Sequence, residues 1–136
     1  MNYRSLSFFL SLFCFPISFL SFVNILYSSY FDYFLSINSY FITLIISVVT
    51  GTGFYLLGKN SDKKIDFIDQ LILIILVYFI DGFLISIPFF LSNSQVSFLS
   101  AFFESISGLT GTGFSTFKDI KYLDPTLILW RSSSQW

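Results

Sequence analysis

Three runs of this 136-residue sequence, residues 6–27, 40–57 and 67–91, are long, apolar and almost free of charge. A helix rises 1.5 Å per residue, so each is long enough to approach or exceed ~30 Å of hydrocarbon. Backbone polar groups in lipid must find partners within the chain, which leaves continuous apolar runs of this kind as helices. The charge content agrees: 11% of the residues are charged, against roughly 25% in a soluble domain. The expected class is an all-α membrane protein.

A fourth apolar segment breaks the pattern. Residues 98–109 make a helix of only ~18 Å, which enters a bilayer but does not cross it. They run into Thr110-Gly111-Thr112-Gly113-Phe114, where alternate glycines end the helix. Non-helical backbone at membrane depth survives only where protein buries it or where it lines a watery path. Ser94 and Ser97 both suit an N-cap for this half-helix, after the polar turn Ser92-Asn93-Ser94. Residues 115–123, with Lys118, Asp119 and Lys121, are read as the return to the outer surface. Asp124 as N-cap and Pro125 as first helical residue then open a further helix. Its 12 or so residues to Trp136 span ~18 Å, so the chain is read as a fragment stopping within that helix. The expected architecture is three transmembrane helices, a re-entrant pore half-helix with its filter loop, and the start of a fourth helix. Residues 1–64 form a two-helix hairpin, and 65–136 a helix–pore loop–helix repeat truncated in its second helix.

Charge sets the expected orientation. The 28–39 connection carries Asp32 and no Lys or Arg, whereas 58–66 carries Lys59, Lys63 and Lys64. The positive-inside rule puts the lysine loop and the Arg4 end in the cytoplasm. The half-helix is then approached from outside. A cleaved signal peptide competes for residues 6–27, but that stretch is long for one and no small-residue cleavage site follows. Pro16 is expected to kink or loosen the first helix, which membrane helices tolerate.

The loop chemistry points to a cation. A dehydrated cation needs oxygen dipoles in place of water, and rings of backbone carbonyls supply them. Glycine reaches the conformations that aim successive carbonyls to one side. Thr110 and Thr112 add hydroxyl oxygens, and the half-helix C-terminus adds about half a negative charge. The pentapeptide alone is weak evidence, because it recurs at Thr50-Gly51-Thr52-Gly53-Phe54 inside the second run. That copy is read as part of a small-residue packing surface with Ser47, Gly51 and Gly58. Gly108 to Ser115 also approximates a phosphate loop, but Phe114 replaces the essential lysine and a helix, not a strand, precedes it. Nucleic acid is not an expected partner, since no basic patch is present. Cys14, the sole cysteine, is read as a small buried hydrophobe.

Residues 97–113, reading SFLSAFFESISGLTGTG, resemble the first pore helix and filter of the Trk/Ktr potassium transporters, specifically the TrkH type. Leu129-Trp130-Arg131-Ser132 with Gln135-Trp136 resembles the start of the helix after that filter, and Ile87-Pro88-Phe89 the outer end of the helix before it. The similarity extends over residues 65–136, with the first two helices matching the extra N-terminal pair of the TrkH type in placement only. It implies four helix–pore loop–helix repeats around one K⁺ path, with one filter glycine per repeat. Gly113 takes that role, and K⁺ is expected at Thr110, Gly111, Thr112 and Gly113. It also implies a homodimer in the bacterial inner membrane, gated by a cytoplasmic nucleotide-binding subunit. Gly111 departs from the threonine more usual in the family. A single repeat on its own is not expected to conduct.

Phe114, Glu104 and Asp81 are the supporting candidates. Glu104 lies on the half-helix and is expected to orient filter amides or hydroxyls. Asp81 is central in the third run, where an ionised acid costs several kcal/mol unless paired or hydrated. It is either a cation-attracting carboxylate or a structural hydrogen-bonding group. Arg131 is expected to pair with an acid that sequence does not single out. Trp130 and Trp136 are read as lipid-facing or packing residues. With no histidine and no activated nucleophile, catalysis is not expected, and no cofactor beyond the transported K⁺. The competing function is a small membrane structural or partner protein whose glycine loop only packs.

Overall fold

The computed structural model describes residues 2–34, 36–92, 96–117 and 123–135. Within them lie five helices: α1 (Tyr3–Tyr30), α2 (Ile37–Gly58), α3 (Phe67–Leu91), α4 (Phe98–Leu109) and α5 (Pro125–Ser133). The first three are long and apolar enough to cross a membrane, whereas α4 is apolar but short. Helices α1 and α2 begin a few residues before the apolar runs do, because helix ends continue into the polar interface. The Pro16 position lies inside an unbroken α1. Many of the exposed side chains on α1–α3 are Phe, Leu and Ile, as lipid-facing surfaces require.

Helices α1 and α2 pack through small and polar residues. Ser11, Cys14, Ser21 and Asn24 of α1 and Thr43, Ser47 and Gly51 of α2 are all buried. The closest approach is at Gly58. A Cβ built there would run into the Phe8 backbone nitrogen and lie 2.6 Å from its Cα. At Gly51 it would meet the Cys14 Cβ at 3.3 Å, while at Gly53 nothing lies within 4 Å. The first TGTGF copy is therefore helical, with Gly51 at the α1 contact and Gly53 open. Without a hydrophobic drive between helices in lipid, such close backbone packing is a main source of association.

Helix α3 carries α4. The Ser105 hydroxyl donates to the Gly82 carbonyl at 2.7 Å, and Phe98 packs on Phe83 and Phe90 with ring centroids 6.0 and 5.9 Å apart. A Cβ at Gly82 would lie 2.6 Å from Ile106 Cδ1. Helix α5 closes the bundle by docking against α1, α4 and the N-terminal end of α2. Trp130 is buried, donates from Nε1 to the Ile85 carbonyl at 3.0 Å, and lies 5.7 Å from the Tyr40 ring. Of the two roles expected for Trp130, it has the packing one; Trp136 lies outside the described residues.

Candidate pore-loop site

Helix α4 starts at a serine cap: Ser97 Oγ accepts from the Ser100 amide at 3.2 Å. The alternative cap, Ser94, lies outside the described residues, as does the Lys118, Asp119 and Lys121 segment of the return loop. Ala101, Glu104, Ser105 and Gly108 form its buried face, a spacing of three and four residues that keeps them on one side of a helix. The helix ends at Leu109, close beside α3. Since Ser105 and Ile106 abut Gly82, that end sits roughly 13 Å along α3 from its Leu91 end. Residues 98–117 are thus a short helix followed by an extended return.

Two glycines make the return possible. Gly111 has φ +65° and Gly113 φ +75°, a left-handed region that costs other residues roughly 1–2 kcal/mol each. The Gly111 amide donates to the Gly108 carbonyl at 2.9 Å and the Thr112 amide to the Ser107 carbonyl at 3.2 Å. Side chains tighten the turn. Ser107 Oγ donates to the Phe114 carbonyl at 2.6 Å and lies 3.1 Å from Thr112 Oγ1. Thr110 Oγ1 donates to the Ile106 carbonyl at 2.8 Å. Among the described residues no donor reaches the carbonyl oxygens of Thr110, Gly111 or Thr112. Residues 110–114 are exposed, with nothing within 4 Å of a Cβ built at Gly111 or Gly113.

Glu104 organises the far side of the loop. It is fully buried. Its Oε1 accepts from the Ser115 hydroxyl at 2.8 Å, from the Thr116 hydroxyl at 3.0 Å and from the Thr116 amide. Its Oε2 takes Arg131 Nε at 3.0 Å. Burial alone pushes this carboxyl up, but the donors from Ser115, Thr116 and Arg131 outweigh it and hold it below the usual glutamate value. Arg131 Nη2 also donates to the Gly113 and Phe114 carbonyls at 3.3 and 3.2 Å. One arginine therefore ties α5 to both the half-helix and the loop.

Sequence reasoning placed Glu104 on the half-helix; the structure brings it to the amide and hydroxyls just after the loop. The partner of Arg131 and the part played by Ser107 came only with the fold. Its partners, Thr112 and Phe114, lie beyond the helix end, so no helical spacing in the sequence singles it out. Asp81 is buried beside Gly82 in α3, and no described residue donates a hydrogen bond to it. It is not part of the 110–114 loop. Groups of histidine, cysteine or acid side chains suited to a metal are absent among the described residues.

Three apolar helices able to span, with a short helix and a glycine return held against them, define a multi-pass membrane protein. Among such proteins the chain is similar to Trk-type cation transporters. It is 30% identical over 84 residues to an uncharacterized cation transporter of Methanocaldococcus jannaschii, covering 62% of this chain and 18% of that one. It is 28% identical over 94 residues to the Trk system potassium uptake protein TrkG of Escherichia coli, covering 68% and 19%. With the Trk system potassium uptake protein TrkH of Halomonas elongata it shares 30% over 99 residues, covering 72% and 20%. These relatives bear out the resemblance to the Trk potassium transporters, and they are transporters, not enzymes. The chain spans about a fifth of the length of the curated relatives it matches. No family profile and no solved structure matches it.

Proposed function

We propose that this chain takes part in K⁺ uptake across a bacterial inner membrane as one repeat of a Trk-type transporter. The loop 110–114 furnishes a quarter of the selectivity filter, and K⁺ binds at Thr110, Gly111, Thr112 and Gly113. The observation that carries this is a backbone one: a half-helix stops beside Gly82 of α3, and two left-handed glycines follow it. The carbonyls of Thr110, Gly111 and Thr112 are left without described donors. Oxygen dipoles of this kind replace a cation's hydration shell. Residues 1–64 are the supporting hairpin and 65–136 the repeat. The N-terminus and the lysine loop face the cytoplasm, and the complete transporter is a homodimer controlled by a cytoplasmic nucleotide-binding subunit.

Rb⁺ uptake in cells deficient in their own K⁺ transport, expressing a transporter that contains this chain, tests the idea. Gly113→Ser should lower K⁺ over Na⁺ discrimination at unchanged expression. If discrimination and flux both stay at the parent level, the loop only packs and the protein has a structural role.

A further inference from the structure

At the end of the bundle where α1 and α3 begin, Asn2, Tyr3, Arg4, Lys64, Asp66 and Asp69 surround an open pocket of about 570 Å³. Two positive and two negative side chains share it, yet none forms an ion pair in the described chain. Asp69 is buried, and its Oδ2 accepts the Asn2 amide at 3.2 Å. A second groove, of about 200 Å³, opens along the same α1–α3 seam and is almost wholly apolar, lined by Phe13, Leu73, Ile74, Val77 and Tyr78. Asp69, Leu73 and Val77 are successive four-residue steps on α3, so the groove begins one turn above the polar mouth and continues about 12 Å beyond Asp69.

A charged mouth at the membrane interface with an apolar furrow leading into the span is the shape of a phospholipid site. The mixed signs choose the headgroup. An anionic lipid would meet Asp66 and Asp69 as well as Arg4 and Lys64. A zwitterion satisfies all four, with its phosphate on the cations and its ammonium on the carboxylates. Charge-assisted hydrogen bonds require N–H donors on that ammonium. We infer that the α1–α3 seam binds one phosphatidylethanolamine, with its headgroup among Arg4, Lys64, Asp66 and Asp69 and an acyl chain along Leu73 and Val77. The inference rests on α1, α3 and the residues just before α3, and stands or falls apart from the filter.

Native mass spectrometry of the 136-residue chain in detergent tests it, using phosphatidylethanolamine, phosphatidylcholine and phosphatidylglycerol with matched acyl chains. Phosphatidylethanolamine should be retained roughly two- to fivefold better than either, the range expected for partly exposed ionic contacts. The preference over phosphatidylcholine should shrink in Asp66→Asn, which leaves Asp69 as the one carboxylate, and overall retention should fall in Arg4→Gln/Lys64→Gln, with helix content unchanged by circular dichroism. Equal retention of the three lipids, a preference for phosphatidylglycerol, or a preference that both variants leave intact overturns it. Glycerophosphoethanolamine, which lacks acyl chains, should not compete; equal competition by it would overturn the lipid assignment. The wild-type comparison decides the matter even if a variant fails to fold.

Discussion

Arg131 on α5 and Glu104 on α4 meet at 3.0 Å, 27 residues apart in sequence, and the same guanidinium reaches the carbonyls of Gly113 and Phe114. The loop is thereby fixed from behind by a buried charge while its other carbonyls stay open. Breaking one partner leaves an uncompensated charge or a set of unanswered donors, so the two positions should be strongly coupled.

A double-mutant cycle measures that coupling. Glu104→Gln, Arg131→Gln and the double variant, melted in detergent, should give an interaction of about 1.5–3 kcal/mol, as for hydrogen bonds to charged groups. A coupling no larger than the experimental scatter would mean that the pair does not hold the loop.

The same carboxylate gives stability a pH signature. A group held below its unfolded value stabilises the fold above that value and loses the contribution as pH falls through its folded one. For Glu104 the loss should begin below the usual glutamate value of 4.5 and continue at lower pH. Thermal melts of the parent should therefore fall more steeply below that point than those of Glu104→Gln. Parallel curves would show that Glu104 contributes no pH dependence.

Two glycines of one helix should respond oppositely to alanine. At Gly58 the added methyl would press on the Phe8 backbone, and overpacking of that kind costs about 1–3 kcal/mol. At Gly53 the space is open, and alanine gains up to about 1 kcal/mol of helix propensity. Melting temperatures in detergent should drop for the first and rise or hold for the second; the reverse order would disprove the α1–α2 contact.

Ser107 should tune selectivity without holding the fold. Ser107→Ala removes a hydroxyl bonded to the Phe114 carbonyl and close to Thr112, at about 1 kcal/mol for one hydrogen bond. In the Rb⁺ assay it should weaken K⁺ over Na⁺ discrimination while expression stays near parental and melting falls by only a few degrees. Unaltered discrimination would show that the hydroxyl does not brace the loop.

Phe67–Leu91 and Phe98–Leu109 are bounded in the structure as their hydropathy indicates, and Asp124 caps α5 through the Thr126 amide at 2.9 Å. These features were legible because apolar run length, glycine and proline act over a few residues. The cap of α4 is also local: Ser97 is three residues from the amide it receives. Trp130 was ambiguous for the opposite reason. An indole suits lipid or protein equally, and only the Ile85 carbonyl, 45 residues away, decides between them.

The chain's own order of residues determined that it makes membrane-length helices and one short helix ending in a glycine return. Lipid leaves the backbone no other way to satisfy its hydrogen bonds. Tertiary structure alone decided which polar groups meet: Glu104 with Arg131, Tyr40 with Thr126 across 86 residues, Ser105 with Gly82. Such pairs depend on how helices are rotated and how far they slide. Those are set by close packing at small residues such as Gly58, where a single methyl group would run into the Phe8 backbone.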